Sequence, residues 1–380
     1  MKKLVFVDPQ SYRNLSMYDY SLLKGMKEYK VVYCCSKQYD GPKLDNVEFR
    51  PIFTYRQEMN PLVKVVSYLC SLLKLVTILK YVRPDVLHIQ WWKQWNIDYF
   101  FLSIYKKFAK QIIFTAHNLV PHNSGDSMKN KCMKYYHKVD KIIVHDNNSK
   151  KELINDFQVS EDKIAVIAHG ILEFSVNEAE VKSVMNKIFT KYSLKDKLVF
   201  ASMGGQSPYK GTDLICDAFL SSEYLKNNVD VFLIIAGAGN IATPDRFKEC
   251  NNVWVANYSL SDSEFQSIMR LTDVMLLPYR KISQSGVLLT SIQNQIPFAV
   301  TPMGGLAEPL ELAPVGWIVS SPTIDSVKEC MEGLTKDIVK TKAVNTNQQI
   351  WDLVKEKYNW EYISIQTEEF YSDHSEKMMS

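Results

Sequence analysis

The sequence predicts an α/β protein of two Rossmann-like lobes, each a parallel sheet with helices on its faces. Apolar runs of four to seven residues alternate with amphipathic stretches along the 380 residues, a pattern typical of strand and helix repeats in parallel sheets. The runs form two series that a polar segment separates. With 46% hydrophobic and 23% charged residues, the chain can bury two cores.

The first series of apolar runs predicts strands in the amino-terminal lobe. They are Leu4–Val7, Lys30–Cys35, Val86–Ile89, Ile112–His117, Lys141–His145 and Lys163–His169. The opening MKKLVFVDP has an apolar run too short for a signal peptide, so we interpret it as the first strand.

The second series predicts the strands of the other lobe. They are Leu198–Met203, Val231–Gly237, Val253–Ala256, Val274–Pro278, Pro297–Thr301 and Gly316–Val319. Between the two series, Ile171–Lys197 is polar and helical in pattern. We therefore expect an amino-terminal domain of residues 1–170 and a second domain that begins at residue 171.

The segment Pro61–Val82 is the most hydrophobic in the chain. Lys64, Lys74 and Lys80 interrupt it, so an uncharged membrane span is not expected. Two interpretations stay open: a helix packed in the first lobe, or a lysine-flanked helix face that rests on a membrane surface.

The two halves of the chain differ in charge. Residues 1–170 carry 26 Lys and Arg against 16 Asp and Glu, whereas residues 171–380 carry 19 against 26. A basic lobe suits a polyanion, but solvated lysine-rich helices also explain it, and no nucleic-acid-binding motif accompanies it. Seven cysteines without a C-x-x-C pair suit a reducing compartment, so we expect a cytoplasmic protein, peripheral on the inner face of the membrane if it contacts one.

Two glycine turns follow predicted strands of the second lobe. Gly204 and Gly205 let the chain turn sharply before a helix, and Lys210 stands near the start of that helix. Gly237 ends the next strand, at the edge where open parallel sheets bind ligands. Backbone N–H groups and a lysine at such a place suit phosphate oxygens.

A third turn of the second lobe, SQSG, opens another predicted helix. Ser283, Gln284, Ser285 and Gly286 precede the helical run VLLTSIQNQ, and an anion can accept hydrogen bonds from the N–H groups at such a helix start. The alternative is that Ser283 or Ser285 only caps the helix. Three such turns in one lobe favour the anion site.

Aromatic and imidazole side chains follow the strands of the first lobe. Trp91 and Trp92 come directly after a strand, where their rings suit a sugar or an apolar acceptor chain, with core packing as the alternative. His117 ends another strand and His122 follows one turn later. A histidine there is a candidate hydrogen-bond partner for a sugar hydroxyl or a proton carrier, although a lone histidine is usually structural.

Six strings in this order and spacing resemble a known family: PDVLHIQWW, TAHNLVPH, IIVHD, SPYKGTDLICDAF, LLPYRKISQSGVLL and GGLAE. They are similar to glycosyltransferase family 4 enzymes of the GT-B fold, and more narrowly to the bacterial branch with HNxxPH, QSGV and GGLxE motifs. The resemblance covers Arg83–Glu308. Tyr358–Tyr371 also resembles the last helix of such folds, which implies a second domain of residues 171–350 and a helix at 351–380 that crosses back to the first domain.

The resemblance implies an activity as well as a fold. It implies two lobes with a cleft between them and retaining transfer of a sugar from a nucleotide-diphosphate sugar to a hydroxyl. The acceptor would be a saccharide or lipid-linked saccharide, as in surface polysaccharide or glycoconjugate synthesis. A hexosyltransferase of this kind needs no essential metal and no cofactor beyond its donor substrate. In retaining transfer the leaving phosphate can take the acceptor proton, so the protein mainly stabilises charge on that phosphate.

The resemblance also implies roles for single residues. The diphosphate would be bound by Lys210, Ser285, Gly286 and Val287, with the help of Arg280. Asn257 and Tyr258 would hold the base. Glu308 would bind the ribose or sugar hydroxyls, and His117 the donor sugar near the reaction centre.

Three positions depart from the family pattern. Ser283 and Ser291 stand where many members carry the two glutamates of Glu-x7-Glu. The arginine usual shortly before Lys-Gly is absent, and Gly205 or Ser207 fills its place. The glycine turn after the first strand is replaced by Asp8–Tyr20, in which Tyr12 or Arg13 is the candidate substitute, and we expect Arg13 on the acceptor side.

Other classes of protein fit less well. A nicotinamide-dependent oxidoreductase needs G-x-G-x-x-G after the first strand, which is absent. A nucleotide-sugar epimerase usually needs several acidic residues that face the sugar. The sequence SDSE is a helix-capping box rather than a metal-binding Asp-x-Asp. The alternative that stays open is a catalytically silent GT-B subunit that binds glycans or a partner.

Overall fold

The computed structural model describes residues 1–54, 59–120, 126–171, 176–282 and 284–373. The polypeptide divides into two compact units. The first contains Met1–Leu172 and Tyr358–Ser380, and the second contains Glu173–Lys357.

The first unit, in its described part, is built on a seven-stranded parallel sheet. Its strands are β1 Lys2–Asp8, β2 Tyr29–Ser36, β3 Val47–Phe53, β4 Val86–Ile89, β5 Gln111–Thr115, β6 Lys141–Val144 and β7 Ile164–Val166. They lie in the order β3-β2-β1-β4-β5-β6-β7. The helices of residues 1–172 are α1 Asn14–Gly25, α2 Pro61–Val82, α3 Trp95–Tyr105, α4 Asp126–Lys138 and α5 Asn147–Asn155.

Strand β1 lies in the middle of this sheet and shows why the strands are apolar throughout. Val5 and Val7 belong to the core on one face of the sheet, and Leu4 and Phe6 to the core on the other face. Successive side chains of a strand point to opposite faces. Because helices cover both faces, Leu4–Val7 are all buried.

Helix α2 docks on the sheet by one strip of side chains. Tyr68, Leu72, Leu75 and Leu79 are buried, and the Tyr68 hydroxyl donates to Asp98 Oδ1 at 2.6 Å. The other side of the helix is exposed and apolar. By length and composition α2 is the one helix of the described residues that could cross a membrane, but its buried strip is committed to the fold.

The second unit contains, within its described residues, a six-stranded parallel sheet in the order β10-β9-β8-β11-β12-β13. The strands are β8 Leu198–Met203, β9 Val231–Ala236, β10 Val253–Ala256, β11 Val274–Leu277, β12 Phe298–Val300 and β13 Gly316–Ile318. The helices are α6 Glu178–Lys191, α7 Thr212–Ser221, α8 Glu223–Lys226, α9 Asp262–Leu271, α10 Gly286–Gln293, α11 Glu308–Leu312, α12 Ile324–Lys336, α13 Ile338–Ala343 and α14 Gln348–Lys357.

The last helix, α15 Trp360–Ser372, belongs to the first unit. It packs on α1, where Ser364 Oγ donates to the Leu22 carbonyl at 2.8 Å. Glu368 Oε1 accepts from the N–H groups of Lys27 and Glu28 at 3.0 and 2.8 Å. These bonds satisfy polar groups at the carboxyl end of α1 that would otherwise lose their partners.

The predicted strands are confirmed with small shifts at their ends, and one strand was missed. The missed strand is β3, which pairs with β2 at the edge of the first sheet. Its sequence VEFRPIF contains two charged residues and a proline, and only its two ends are fully buried. Pro51 has no N–H to donate, and a proline within a strand is tolerated at such an edge.

Candidate functional site

Two glycine turns of the second unit lie against each other at the carboxyl ends of β8 and β9. Gly204 has φ +92°, and Gly237 has φ +145°. A Cβ on Gly237 would lie 2.0 Å from the Gly204 carbonyl oxygen, a distance that no side chain tolerates. Both positions therefore require glycine, one for its backbone angle and one also for close approach.

Gln206 braces these two turns. Its side-chain amide donates to the carbonyls of Gly237 and Ala242, both at 3.0 Å. Its Oε1 accepts from the N–H groups of Ile241 and Ala242 at 3.0 and 2.7 Å. With all these bonds made, the loop after β9 is held in one conformation.

Lys210 reaches back over the first turn. A Cβ on Gly204 would lie 2.9 Å from Lys210 Nζ and 3.9 Å from Val287 Cγ2, so the lysine, the turn and the start of α10 are neighbours. Within the described ranges, the Lys210 ammonium makes no ion pair or hydrogen bond. Burial lowers its pKa, and no carboxylate offsets that desolvation.

The start of α10 adds backbone donors to this place. Ser285 is the N-cap, and its hydroxyl accepts from the Leu288 N–H at 3.3 Å. The N–H groups of Gly286 and Val287 precede the first intrahelical bond. The capping alternative therefore holds for Ser285, and capping leaves two backbone donors of the helix end for an anion. Gln284 is partly exposed just before the cap.

Arg280 is committed to the protein. Its guanidinium makes a bidentate pair with Asp213 at 2.7 and 2.6 Å. The backbone N–H of Arg280 donates to the Tyr209 carbonyl at 2.7 Å. The guanidinium lowers the pKa of Asp213 through a hydrogen bond. Arg280 thus ties the strand end after β11 to the turn that carries Lys210.

Asn257 and Tyr258 follow β10. Asn257 Oδ1 accepts from the Gly239 N–H at 2.9 Å, so this side chain supports the glycine loop after β9. The Tyr258 hydroxyl donates to Glu264 Oε1 at 3.0 Å, and 44% of the residue is exposed. The exposed ring offers an apolar face beside that loop.

Glu308 is buried at the start of α11. Its Oε2 lies 3.0 Å from Lys357 Nζ, on the last residue of α14. Sequence reasoning did not pair these residues, because they lie 49 positions apart and no motif joins them. The pair fixes the carboxylate in place after the Gly304 and Gly305 turn.

In the first unit His117 lies in a hydrogen-bonded chain. His145 Nδ1 donates to the Ile167 carbonyl at 2.8 Å, and His145 Nε2 lies 3.0 Å from His117 Nδ1. His117 Nε2 lies 2.7 Å from Gln90 Oε1. Because a neutral His145 can only accept at Nε2, His117 donates from Nδ1. His117 Nε2 is then an acceptor, so the Gln90 amide must be turned to present its nitrogen to it.

The three neighbouring histidines His117, His145 and His169 are neutral at pH 7. Burial lowers the pKa of His145 to about 3 and that of His169 to about 4. Burial, with neighbouring His145, also lowers the pKa of His117 well below its usual range. The rings enclose Tyr18, whose centroid lies 5.0 Å from that of His117 and 4.8 Å from that of His169. A cluster of neutral rings such as this one does not store protons at pH 7.

The two tryptophans after β4 have different surroundings. Trp91 is partly exposed and stacks on His117 with 4.7 Å between centroids and 5° between planes. Trp92 is buried, with 8% exposed, and stacks on Phe114. The core-packing alternative therefore holds for Trp92, whose ring cannot receive an acceptor, while Trp91 retains an exposed part.

Arg13 takes a glycine-like backbone angle in the loop after β1. Its φ is +57° and its ψ is −131°, an unfavourable combination for a residue with a Cβ. The Asp40 carboxylate holds the strained N–H at 2.9 Å from Oδ1. The chain thus turns here without the family's glycine, and the Arg13 side chain is exposed.

The same loop covers a buried pair of carboxyl groups. Asp8 and Asp19 are almost completely buried. Among the described residues, buried Asp8 Oδ2 has no hydrogen-bond partner, and a proton on the Asp19 carboxyl would supply one. Burial, followed by repulsion from Asp8, raises the pKa of Asp19, and burial raises that of Asp8 to about 6. The pair therefore tends to hold a proton.

Two of the predicted site residues, His122 and Ser283, lie outside the described residues. The part of the chain that is described contains no cluster of three or more His, Cys, Asp or Glu side chains able to hold a metal ion.

Solved structures of low sequence identity share the fold. Anabaena Alr3699/HepE in complex with UDP and glucose superposes with a TM-score of 0.67 at 14% identity, over 98% of this chain and 100% of that one. Sucrose-phosphate synthase from Thermosynechococcus elongatus gives 0.67 at 13%, over 98% and 99%. A glycosyltransferase from Rickettsia africae gives 0.67 at 15%, over 98% of both. The fold is thus GT-B.

Sequence profiles match both units. Residues 22–171 match Glycosyltransferase Family 4, and residues 195–337 match Glycosyl transferases group 1. The chain is a glycosyltransferase, similar to family 4. No curated protein sequence matches it.

Several supporting residues of this glycosyltransferase were missed from its sequence. Gln206 and Gln90 contact site residues through their side-chain amides, and Ser207 Oγ is buried without a partner among the described residues. Glutamine and serine are common on surfaces, so neither residue type signalled a site. Only the position of Gln206 between a glycine pair and a lysine could have indicated it.

Proposed function

We propose that this glycosyltransferase transfers a sugar from a nucleotide-diphosphate sugar to a saccharide or lipid-linked saccharide hydroxyl, with retention of anomeric configuration and without an essential metal. The observation that carries the proposal is Lys210. Its desolvated ammonium has no carboxylate partner among the described residues and lies over a glycine turn beside the start of α10. Such a place suits a diphosphate.

The donor groups have separate tasks in this proposal. Lys210 and the N–H groups of Gly286 and Val287 stabilise the negative charge that grows on the β-phosphate as it leaves. Arg280 positions Lys210 through Asp213 and the Tyr209 carbonyl. The open surface at Gly205 and Gly286, where a Cβ would meet nothing closer than 4.0 Å, leaves room for the phosphates.

The ends of the donor are bound elsewhere on the second unit. Tyr258 offers its exposed ring to the base, while Asn257 shapes the loop after β9. Glu308 accepts from sugar or ribose hydroxyls, and Lys357 keeps it oriented. Carboxylates are strong acceptors for such hydroxyls.

The reaction needs no protein base in this scheme. The bond from the sugar C1 to the phosphate oxygen breaks, and the acceptor oxygen bonds to C1 on the same face. The acceptor proton passes to the departing phosphate oxygen. Trp91 and Arg13 are the candidate contacts for the acceptor, and His117 is the candidate contact for the donor sugar. As a neutral ring, His117 bonds a sugar hydroxyl at Nε2 in place of its present partner Gln90.

A panel of nucleotide sugars tests the proposal. UDP-glucose comes first, because Anabaena Alr3699/HepE is described in complex with it. We expect one donor of the panel to raise Tm, since a ligand at 100 times its Kd adds about 2.7 kcal/mol. That donor is then incubated without acceptor, and release of the sugar is followed by NMR, with and without chelator.

The results separate the alternatives. Slow donor hydrolysis that releases the donor's own anomer and survives chelation supports the proposal. Binding without any hydrolysis or transfer indicates the catalytically silent subunit. Activity that chelator abolishes and manganese restores contradicts the metal-free mechanism, and release of the opposite anomer contradicts retention.

A further inference from the structure

A basic pocket of the first unit lies near the amino-terminal ends of its strands, whereas His117 and Trp91 lie at the carboxyl ends. It measures about 690 Å³ and is lined by the start of β1, β2 and β3 and by the last turns of α2. The cations in its lining are Lys3, Lys30, Arg50 and Lys80, and the one carboxylate is Glu48. His117 and Trp91 follow the carboxyl ends of β5 and β4, so a ligand of this pocket would occupy a separate site.

Two of the four cations have polar partners in the described part of the chain, and two do not. Arg50 pairs with Glu48, and Lys3 Nζ donates to the Val82 carbonyl at 3.1 Å. Neither Lys30 nor Lys80 makes an ion pair or side-chain hydrogen bond with any residue in the described part of the chain. Two exposed ammonium groups over one pocket attract an anion of the size of a phosphate group.

The exposed face of α2 leads directly to this pocket. Leu62, Val66 and Leu73 are 77%, 59% and 59% exposed and lie within one narrow arc of the helix, at spacings of four and seven residues. Lys80 continues the same arc at the pocket. Tyr81, which is 92% exposed, lies beside it. An apolar strip of about 16 Å is thus followed, on the same side of the helix, by a group of cations.

The buried side of α2 limits how the helix can contact a membrane. Its opposite side packs on the sheet, where Ser71 Oγ donates to the Ile52 carbonyl at 2.9 Å and the Tyr68 hydroxyl to Asp98. A helix that crossed a bilayer would leave these partners unpaired. The helix can instead lie in the interface plane, with the apolar strip inserted and the lysines at the headgroups.

We propose that the pocket binds the phosphate headgroup of an anionic phospholipid and, together with the apolar strip of α2, holds the first unit on a membrane surface. The pocket lies away from His117 and Trp91 of the same unit, so the lipid here is an anchor and not the acceptor. The proposal does not depend on which sugar is transferred. Anionic lipid is favoured over a protein partner because the cations border an aliphatic strip rather than a shaped polar groove.

Vesicle binding by the whole protein tests this site. Phosphatidylcholine vesicles, with or without phosphatidylglycerol, are sedimented with wild type, with Lys30→Glu/Lys80→Glu and with Leu62→Ser/Leu73→Ser. We expect binding only to the mixed vesicles, an affinity about 100-fold lower for the lysine variant and at least ~10-fold lower for the leucine variant. Lys187→Glu/Lys195→Glu, two exposed lysines of the second unit, changes net charge equally and should bind as wild type.

Other outcomes overturn the proposal. Equal binding by the Lys30/Lys80 variant and its control would show general electrostatics without a pocket. Absence of vesicle binding, with thermal stabilisation by inorganic phosphate alone, would make the ligand a soluble phosphate. Retention on membranes after carbonate extraction would show a spanning helix. Donor hydrolysis should be unchanged in the Lys30/Lys80 variant, so failure here leaves the proposed transfer reaction standing.

Discussion

Lys210 is the residue on which the donor site depends most directly. It is partly buried, its pKa is lowered by desolvation, and its ammonium has no described counter-charge. A protein keeps such a group at a cost in stability, since a desolvated charge without a partner is unfavourable. The bound diphosphate would remove that cost, which makes the residue a marker for the ligand.

Replacement of Lys210 should therefore separate stability from function. We expect Lys210→Met to lower donor turnover by ~10²-fold or more, as loss of one charge-stabilising donor often does, and to leave the Tm of the free protein unchanged or higher. Turnover and differential scanning fluorimetry measure the two effects. Lys248→Met, at an exposed surface pair with Asp245, is the control. Normal turnover would remove Lys210 from the site.

The Asp8–Asp19 pair gives the free protein a pH dependence. The folded-state pKa of Asp8 is about 6 instead of 3.8, and that of Asp19 is also raised. The folded protein therefore holds protons that the unfolded chain releases, and stability falls as pH rises from about 4 through 6.

Asp19→Asn tests this pair because an amide imitates the protonated carboxyl. It can accept from the Tyr33 hydroxyl, as Asp19 does, and donate to Asp8 Oδ2. We expect the variant to lose less stability between pH 4 and 7 than wild type in urea titrations, and to be more stable at pH 7. Asp245→Asn, at an exposed aspartate, should follow the wild-type curve. Parallel curves for Asp19→Asn and wild type would show that the pair does not titrate in this range.

Helix α10 illustrates what an element contributes beyond its residues. Its N-cap serine satisfies one N–H and leaves those of Gly286 and Val287 directed out of the helix end. Gly286 is helical and needs no unusual backbone angle, and a Cβ there would meet nothing within 4 Å. The glycine is therefore not required by the fold, and a ligand that approaches the backbone is the remaining reason for it.

Gly286→Val is consequently a selective test of anion binding at this helix. We expect the free-protein stability to change by less than about 1 kcal/mol, while donor-induced stabilisation and turnover fall by ~10²-fold because the side chain occupies the phosphate position. Gly333→Val is matched to it, since Gly333 is also helical and also has open space around its Cβ. A Gly286→Val enzyme with wild-type donor affinity would show that no phosphate approaches this turn.

Strands with both faces covered could be predicted from sequence, whereas the edge strand β3 could not. Strands such as β4 and β8 match their predicted bounds because covered parallel strands are continuous apolar runs. Strand β3 was missed because its charged residues and Pro51 are compatible only with an edge. The Trp91-Trp92 pair was ambiguous for a related reason, since sequence does not show which of two adjacent rings faces the core.

At the scale of the whole molecule, the two-lobe α/β fold and the glycosyltransferase class could be inferred from ordered motifs. The residues that hold the candidate site residues in place could not be inferred in this way. Lys357 contacts Glu308 and Asp40 holds Arg13 across long stretches of sequence. Such pairs depend on how elements pack, and a single sequence carries no record of them. The motifs place donors at strand ends, and the packing decides which of them are already bonded, as Arg280 is to Asp213.

The return of α15 to the first unit bears on how the protein is made. Lys141 donates to the Phe370 carbonyl, and the Tyr371 hydroxyl lies within hydrogen-bond distance of buried His88. The packing of the first unit is therefore completed by residues that are translated after the entire second unit. The amino-terminal unit, although synthesised earlier, must wait for the last helix before its interior is sealed, and chaperones would meet it in that open form.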